Sequence, residues 1–207
     1  MGIAERKERE KEDVRRKILD AAHDLFETRG YENVTMRAVA DAIEYSPTTI
    51  YHHFANKEDL VQALCFADFE QLSQAMGSRP LPENPIERIR TLGHAYATFG
   101  LANPNHYRFM FMTSGDWKKH AHENDTPPAR SYAFLRDAVV DAMEQGYFEK
   151  GDVDLIAQIL WSGLHGVVSL LITFKPEQFP CVPPRPGLIE ASVETTLRGL
   201  LVPRKEK

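Results

Sequence analysis

The stretch Val34–Leu60, VTMRAVADAIEYSPTTIYHHFANKEDL, decides the fold. Thr35 is an N-capping residue type placed just before a helical pattern whose inward positions are Val39, Ala40 and Ile43. Ser46 with Pro47 marks a second start, since proline's fixed φ suits a first helical turn and its missing amide costs nothing there. Two short helices joined by a tight turn result, and Asn56 opens another. In the second of them Ile50 and Phe54 share one face, which turns Pro47, Thr48, Thr49, Tyr51 and His52 outward. Such a helix, laid in a major groove, reads base edges with residues near its N-terminus while hydroxyls and backbone amides hold phosphates.

Outward from this stretch the chain keeps a helical period. Val14, Ile18, Ala21, Ala22, Leu25 and Phe26 predict a helix over 12–29, ended by Gly30. The helix opened by Asn56 runs through Leu60, Val61, Leu64, Ala67 and Leu72 towards Met76. Gly77, Pro80, Pro82 and Pro85 then punctuate the chain, so a boundary is expected near 77–85, dividing residues 1–78 from 79–207. Beyond it, helices are predicted over 85–101, 104–113, 128–146, 152–174 and 187–201, with Asn84-Pro85 and Asn103-Pro104 as cap-and-first-turn pairs. Lys175 to Gly187 carries five prolines and reads as a connector. No segment alternates with period 2, and no repeat is present. The expectation is an all-α protein: an N-terminal three-helix helix-turn-helix domain and a larger helical domain.

At 207 residues and 43% hydrophobic content the chain can bury a substantial core. It has no unbroken run of 18 apolar residues and its N-terminus is charged, so neither a membrane span nor a secretory signal is expected and the cytoplasm is the default compartment. Two cysteines, Cys65 and Cys181, make no disulfide framework or cysteine metal site. Charge complicates a nucleic-acid reading. Residues 1–78 hold 10 Lys+Arg against 15 Asp+Glu, and the cations concentrate at Arg6, Lys7, Arg9, Lys11, Arg15, Arg16 and Lys17 among five acidic residues. That arm is either a basic footprint or a solvated helical tail of i,i+4 ion pairs.

The segments T-M-R-A-V-A, S-P-T-T-I-Y-H-H-F and N-K-E-D-L resemble the N-terminal DNA-binding domain of TetR-type transcriptional regulators, over roughly residues 12 to 62. The resemblance implies phosphate contacts from Thr35, Tyr51 and Lys57, and base or groove contacts from Arg37, Pro47, Thr48 and His52, with Ser46 and Thr49 on the same surface. It implies a double-stranded operator with an inverted repeat, and no enzymatic activity. One position departs: the family usually has glycine where this chain has Glu44, which predicts a side chain forced to positive φ at about 1–2 kcal/mol.

In the C-terminal half, Leu155 to Phe174 is apolar on nearly every side. A helix buried on one face by its own domain and on the other by a symmetry mate answers that need, with Gly163 and Gly166 permitting close approach and Leu188–Leu201 completing a four-helix homodimer interface. Trp161 and His165 resemble the Trp-x-x-x-His-Gly signature of one TetR subgroup, and four-residue spacing puts them on one face. The family resemblance implies a cavity for a small hydrophobic or aromatic ligand, whose lining is expected from Tyr96, Phe99, Tyr107, Met110, Phe111, Trp117, Phe134, Met143, Trp161 and His165. The same side chains suit a solid core, so a regulator without a ligand stays open, as does a helical module that binds a protein partner and no operator. His120-x-His122 lacks a defined third ligand, and no phosphate loop, dinucleotide fingerprint or nucleophile elbow is present, so no catalytic residue, metal or cofactor is expected.

Overall fold

A computed structural model describes residues 2–112, 125–178 and 185–203. Among them the chain forms nine α-helices and no strand. The first four are α1 (Ile3–Arg29), α2 (Met36–Ala42), α3 (Pro47–His53) and α4 (Lys57–Gly77). The larger half holds α5 (Pro85–Ala102), α6 (Pro104–Met112), α7 (Pro127–Glu144), α8 (Val153–Thr173) and α9 (Leu188–Leu200). All end within about two residues of the predicted limits except α1, which starts nine residues earlier than expected. Ion pairs explain the extension: Arg6 with Glu10, Lys11 with Glu8, Arg15 with Glu12 and Arg16 with Asp13 bind along one exposed helix, and Glu5 accepts from the Gly2 amide at its start.

The capping side chains bind as their residue types require. Thr35 Oγ1 accepts from the Ala38 amide, Ser46 Oγ from Thr49 and Asn56 Oδ1 from Asp59, while Asp59 Oδ2 accepts in return from Ala55. α2 ends in a Schellman motif: the Tyr45 amide reaches back to the Ala40 carbonyl and the Glu44 amide to Asp41. The motif needs a left-handed residue at Glu44, whose φ is 58°. Relief of that strain makes Glu44→Gly stabilising by about 1 kcal/mol, the 1–2 kcal/mol of left-handed strain less the added freedom of glycine in the unfolded chain. Chemical denaturation measures the gain, and a loss of stability would show that the Glu44 side chain contributes more than its backbone costs.

Two apolar cores share α4. Ile18, Ala22, Phe26, Val39, Ile50 and Phe54 close on Leu60, Val61 and Leu64 in the N-terminal core, whereas Leu72 and Met76 enter the C-terminal one, and Phe69 packs against both. α6 joins them a second time. Phe109 inserts into the N-terminal core and stacks on Phe26 at 5.5 Å, while Tyr107 and Met110 turn into the C-terminal core. The reading head is thus packed on the body through α4 and α6.

By length and composition α8 is long and apolar enough to cross a membrane. In the fold it is two-faced. Ala157, Leu160, Leu164 and Val168 are buried against the domain, whereas Leu155, Ile159 and Leu170 are 55%, 41% and 44% exposed. An alanine Cβ at Gly166 would meet nothing within 4 Å, and one at Gly163 would meet only Thr196 of α9 at 3.5 Å. Gly166 and Leu170, four residues apart, are exposed on one face of α8, and the partly exposed Leu155 and Ile159 continue the apolar surface towards its start.

Candidate nucleic-acid interface and ligand cavity

The candidate reading surface is built on α3. Ile50, wholly buried, anchors the helix, and Pro47, Thr48, Tyr51 and His52 stand exposed on the opposite side, with Tyr51 at 54%. Thr49 is half-buried, its hydroxyl 3.0 Å from that of Ser46, so both belong to the start of the helix as well as to the surface. Arg37 is exposed on α2 beside Thr35. Lys57 is held differently: its ammonium donates to the Tyr31 carbonyl and lies 4.0 Å from the centre of the Tyr31 ring. That pairing fixes the lysine at the foot of the reading head with part of its charge already engaged. His53 points the other way, towards α1, where burial and then Lys11 and Arg15 lower its pKa.

In the body, α4 to α9 surround an open-sided cavity of about 820 Å³, within the range that holds a drug-sized molecule. Of the residues named for the lining, Tyr96, Met110, Phe111 and Trp161 border it. Five anticipated residues do not. Phe99 and Met143 are buried in the solid core, Phe134 packs under the end of α4 near Gly77, and Tyr107 and His165 lie one layer behind the wall. Trp117, also anticipated, lies outside the described residues. The sequence reading missed Phe69, Leu72 and Met76 of α4, Leu155 and Ile159 of α8, and Val193 of α9. Helical periodicity marked several of these as inward-facing, but it does not tell a residue packed on a neighbour from one beside a void.

Behind the wall a chain of polar groups runs from Trp161 to His165. Trp161 Nε1 donates to the Tyr96 hydroxyl at 3.3 Å, Tyr96 donates to the Tyr107 hydroxyl at 3.0 Å, and the Tyr107 oxygen lies 2.6 Å from His165 Nδ1. The direction of donation along this chain makes Tyr107 the donor to an unprotonated Nδ1. Burial agrees with it: it raises the pKa of both phenols and lowers that of His165, so the tyrosines stay neutral donors and the imidazole a neutral acceptor. Polar groups of the cavity wall stand on α7, α8 and α9, among them Ser131, Tyr132, Gln158, Ser162 and Thr196.

Comparison with known proteins agrees with this architecture. Residues 18–64 match the model of bacterial regulatory proteins of the tetR family, and residues 89–198 match that of the tetracyclin repressor-like C-terminal domain. The chain is 39% identical over 62 residues to the transcriptional regulator UidR of Escherichia coli K12, a match spanning 30% of this chain and only 32% of UidR. It is 28% identical over 160 residues to the transcriptional repressor KstR2 of Mycobacterium tuberculosis H37Rv, covering 70% of this chain and 75% of that one. A solved structure of a Rhodococcus sp. RHA1 protein of unknown function superposes with a TM-score of 0.72 at 22% identity, over 91% of this chain and 96% of the other. With the reading head on α2 and α3, the helical body behind it, and both halves matched by their family models, the chain belongs to the TetR family of bacterial transcriptional regulators.

Proposed function

We propose that the protein is a homodimeric, cytoplasmic transcriptional repressor in which residues 1–78 read an inverted-repeat operator and residues 79–207 dimerise and bind an apolar or aromatic small molecule that releases the DNA. The observation that carries this reading is the dual use of α4. Leu60, Val61 and Leu64 build the core under the reading helix, and Phe69, Leu72 and Met76 of the same helix wall the cavity. A ligand that displaces the lower half of α4 moves the reading head with it, a coupling free energy between two sites. The repressor sign is supported by KstR2, itself described as a repressor. Trp161 and His165, linked through Tyr96 and Tyr107, support placing the body in the Trp-x-x-x-His-Gly subgroup.

The experiment is selection of bound sequences from a random duplex pool at moderate salt. Enrichment of an inverted repeat is the expected outcome, and a folded dimer that enriches nothing would overturn the proposal. With that operator in hand, Tyr51→Ala should weaken binding about tenfold, the loss of one hydrogen bond to a charged phosphate worth about 1.5 kcal/mol. Because Tyr51 is exposed, thermal stability should not change. Fluorescence anisotropy checks the affinity; an unaltered value would remove Tyr51 from the interface.

A further inference from the structure

Three side chains far apart in the sequence meet where the reading head packs on the body: His23 of α1, Asp68 of α4 and His106 of α6. Their ligand-type atoms all lie within 4.8 Å of one another. His106 Nδ1 is 2.7 Å from Asp68 Oδ1, and the two imidazoles stand 3.9 Å apart between centroids, tilted by 31°. Asp68 is 1% exposed, yet its second oxygen, Oδ2, has no hydrogen-bond partner among the described residues. The buried Nε2 of His23 has none either. An ion pair between His106 and Asp68 satisfies one carboxylate oxygen and gives no partner to the other or to His23. Buried polar atoms left this way are costly and rare, and two of them side by side call for a shared partner.

We propose that His23, Asp68 and His106 bind a divalent transition-metal ion of the zinc type, which ties α1 of the reading head to α4 and α6 of the body. Two imidazole nitrogens and one carboxylate oxygen form a borderline donor set, suited to zinc and its first-row neighbours and unlike the all-oxygen shells of calcium and magnesium. Ligand atoms around tetrahedral zinc stand about 3.3 Å apart, given bonds of 2.0–2.1 Å. His106 and Asp68, 2.7 Å apart, are closer than this, and the remaining ligand atoms lie within 4.8 Å, so binding re-spaces the three side chains. The histidines are half-buried, while the unpaired atoms, His23 Nε2 and Asp68 Oδ2, are themselves covered. Glu27, one turn after His23 on α1, shares a second close group with His23 and Asp24 and adds negative charge beside the site.

Chelator-treated, full-length protein titrated with zinc chloride in a calorimeter tests the site. One zinc per chain is expected, with a rise in Tm, because the ion joins three helices of the folded state and none of the unfolded chain. Asp68→Asn and His23→Gln should each lower the affinity at least about tenfold, while a His120→Ala/His122→Ala variant keeps it; the melting of each metal-free variant reports its folding. Cobalt(II) on the wild-type protein gives a readout that needs no variant, the intense visible absorption of a four-coordinate site with nitrogen ligands. Absence of stoichiometric zinc binding would overturn the proposal. So would undiminished affinity in Asp68→Asn and His23→Gln, loss of the site in the His120/His122 variant, or the weak cobalt spectrum of an octahedral, oxygen-ligated ion.

Discussion

Leu170→Glu, on the outward face of α8, separates the dimer and lowers operator affinity by at least about a hundredfold. The leucine is 44% exposed in the single chain and does not line the cavity, so the substitution leaves the monomer's core and pocket untouched. In a two-fold interface each substitution acts twice, because both copies present the same patch. Burying two unpaired carboxylates at an apolar seam costs several kcal/mol, enough to dissociate the pair at micromolar concentration. DNA binding then suffers because one head grips one half-site, and the linked second contact that multiplies affinity by 10²–10⁴ is lost. Gly166→Leu offers an independent approach: a Cβ there meets nothing in the single chain, and the added bulk should block close contact of two α8 helices. Sedimentation velocity gives the mass, and anisotropy on the selected operator gives the affinity. A Leu170→Glu protein that remains dimeric would place the interface elsewhere.

Tyr107→Ala should cost about 3–5 kcal/mol of unfolding free energy, the usual toll of removing a buried aromatic ring. Tyr107 is wholly buried, stacks beside His165 with ring centroids 5.3 Å apart, and is the acceptor from Tyr96 and the donor to His165. The space it fills is shaped to it. At Gly100, an added Cβ would lie 2.8 Å from the Tyr107 ring and 2.9 Å from Val168, so α5 approaches both side chains as closely as glycine permits. Tyr107→Phe keeps the ring and removes the hydroxyl, which leaves His165 Nδ1 with Tyr96 as its remaining partner at 2.8 Å. That variant should lose about 1–2 kcal/mol. Urea denaturation of both separates packing from hydrogen bonding. Equal losses would assign the effect to the polar chain, and a loss below about 1 kcal/mol for Tyr107→Ala would mean that the core closes over the gap.

The helix limits and the exposed face of α3 were legible because their causes are local. Ser46, Pro47 and Asn56 act within one turn of where they stand, and Ile50 fixes which side of α3 faces the core. The departure at Glu44 was legible for the same reason, since the turn between two capped helices is too short to avoid a left-handed residue. The early start of α1 was legible only as one of two readings of the arm, because Gly2 to Lys11 has no apolar period and its helix carries ion pairs between charged side chains.

The sequence by itself determined the order of the helices, the ends of all but α1, the outward face of α3 and the excess apolar surface of α8. Those properties depend on caps, turn residues and a 3.6-residue period, which reach only a few residues along the chain. Tertiary structure alone decided that Tyr107 and His165 stand behind the cavity wall rather than on it, that α4 belongs to both cores, and that His23, Asp68 and His106 meet. Each of those facts depends on how helices distant in sequence cross, and a side chain's neighbours across such a crossing leave no periodic mark in its own segment.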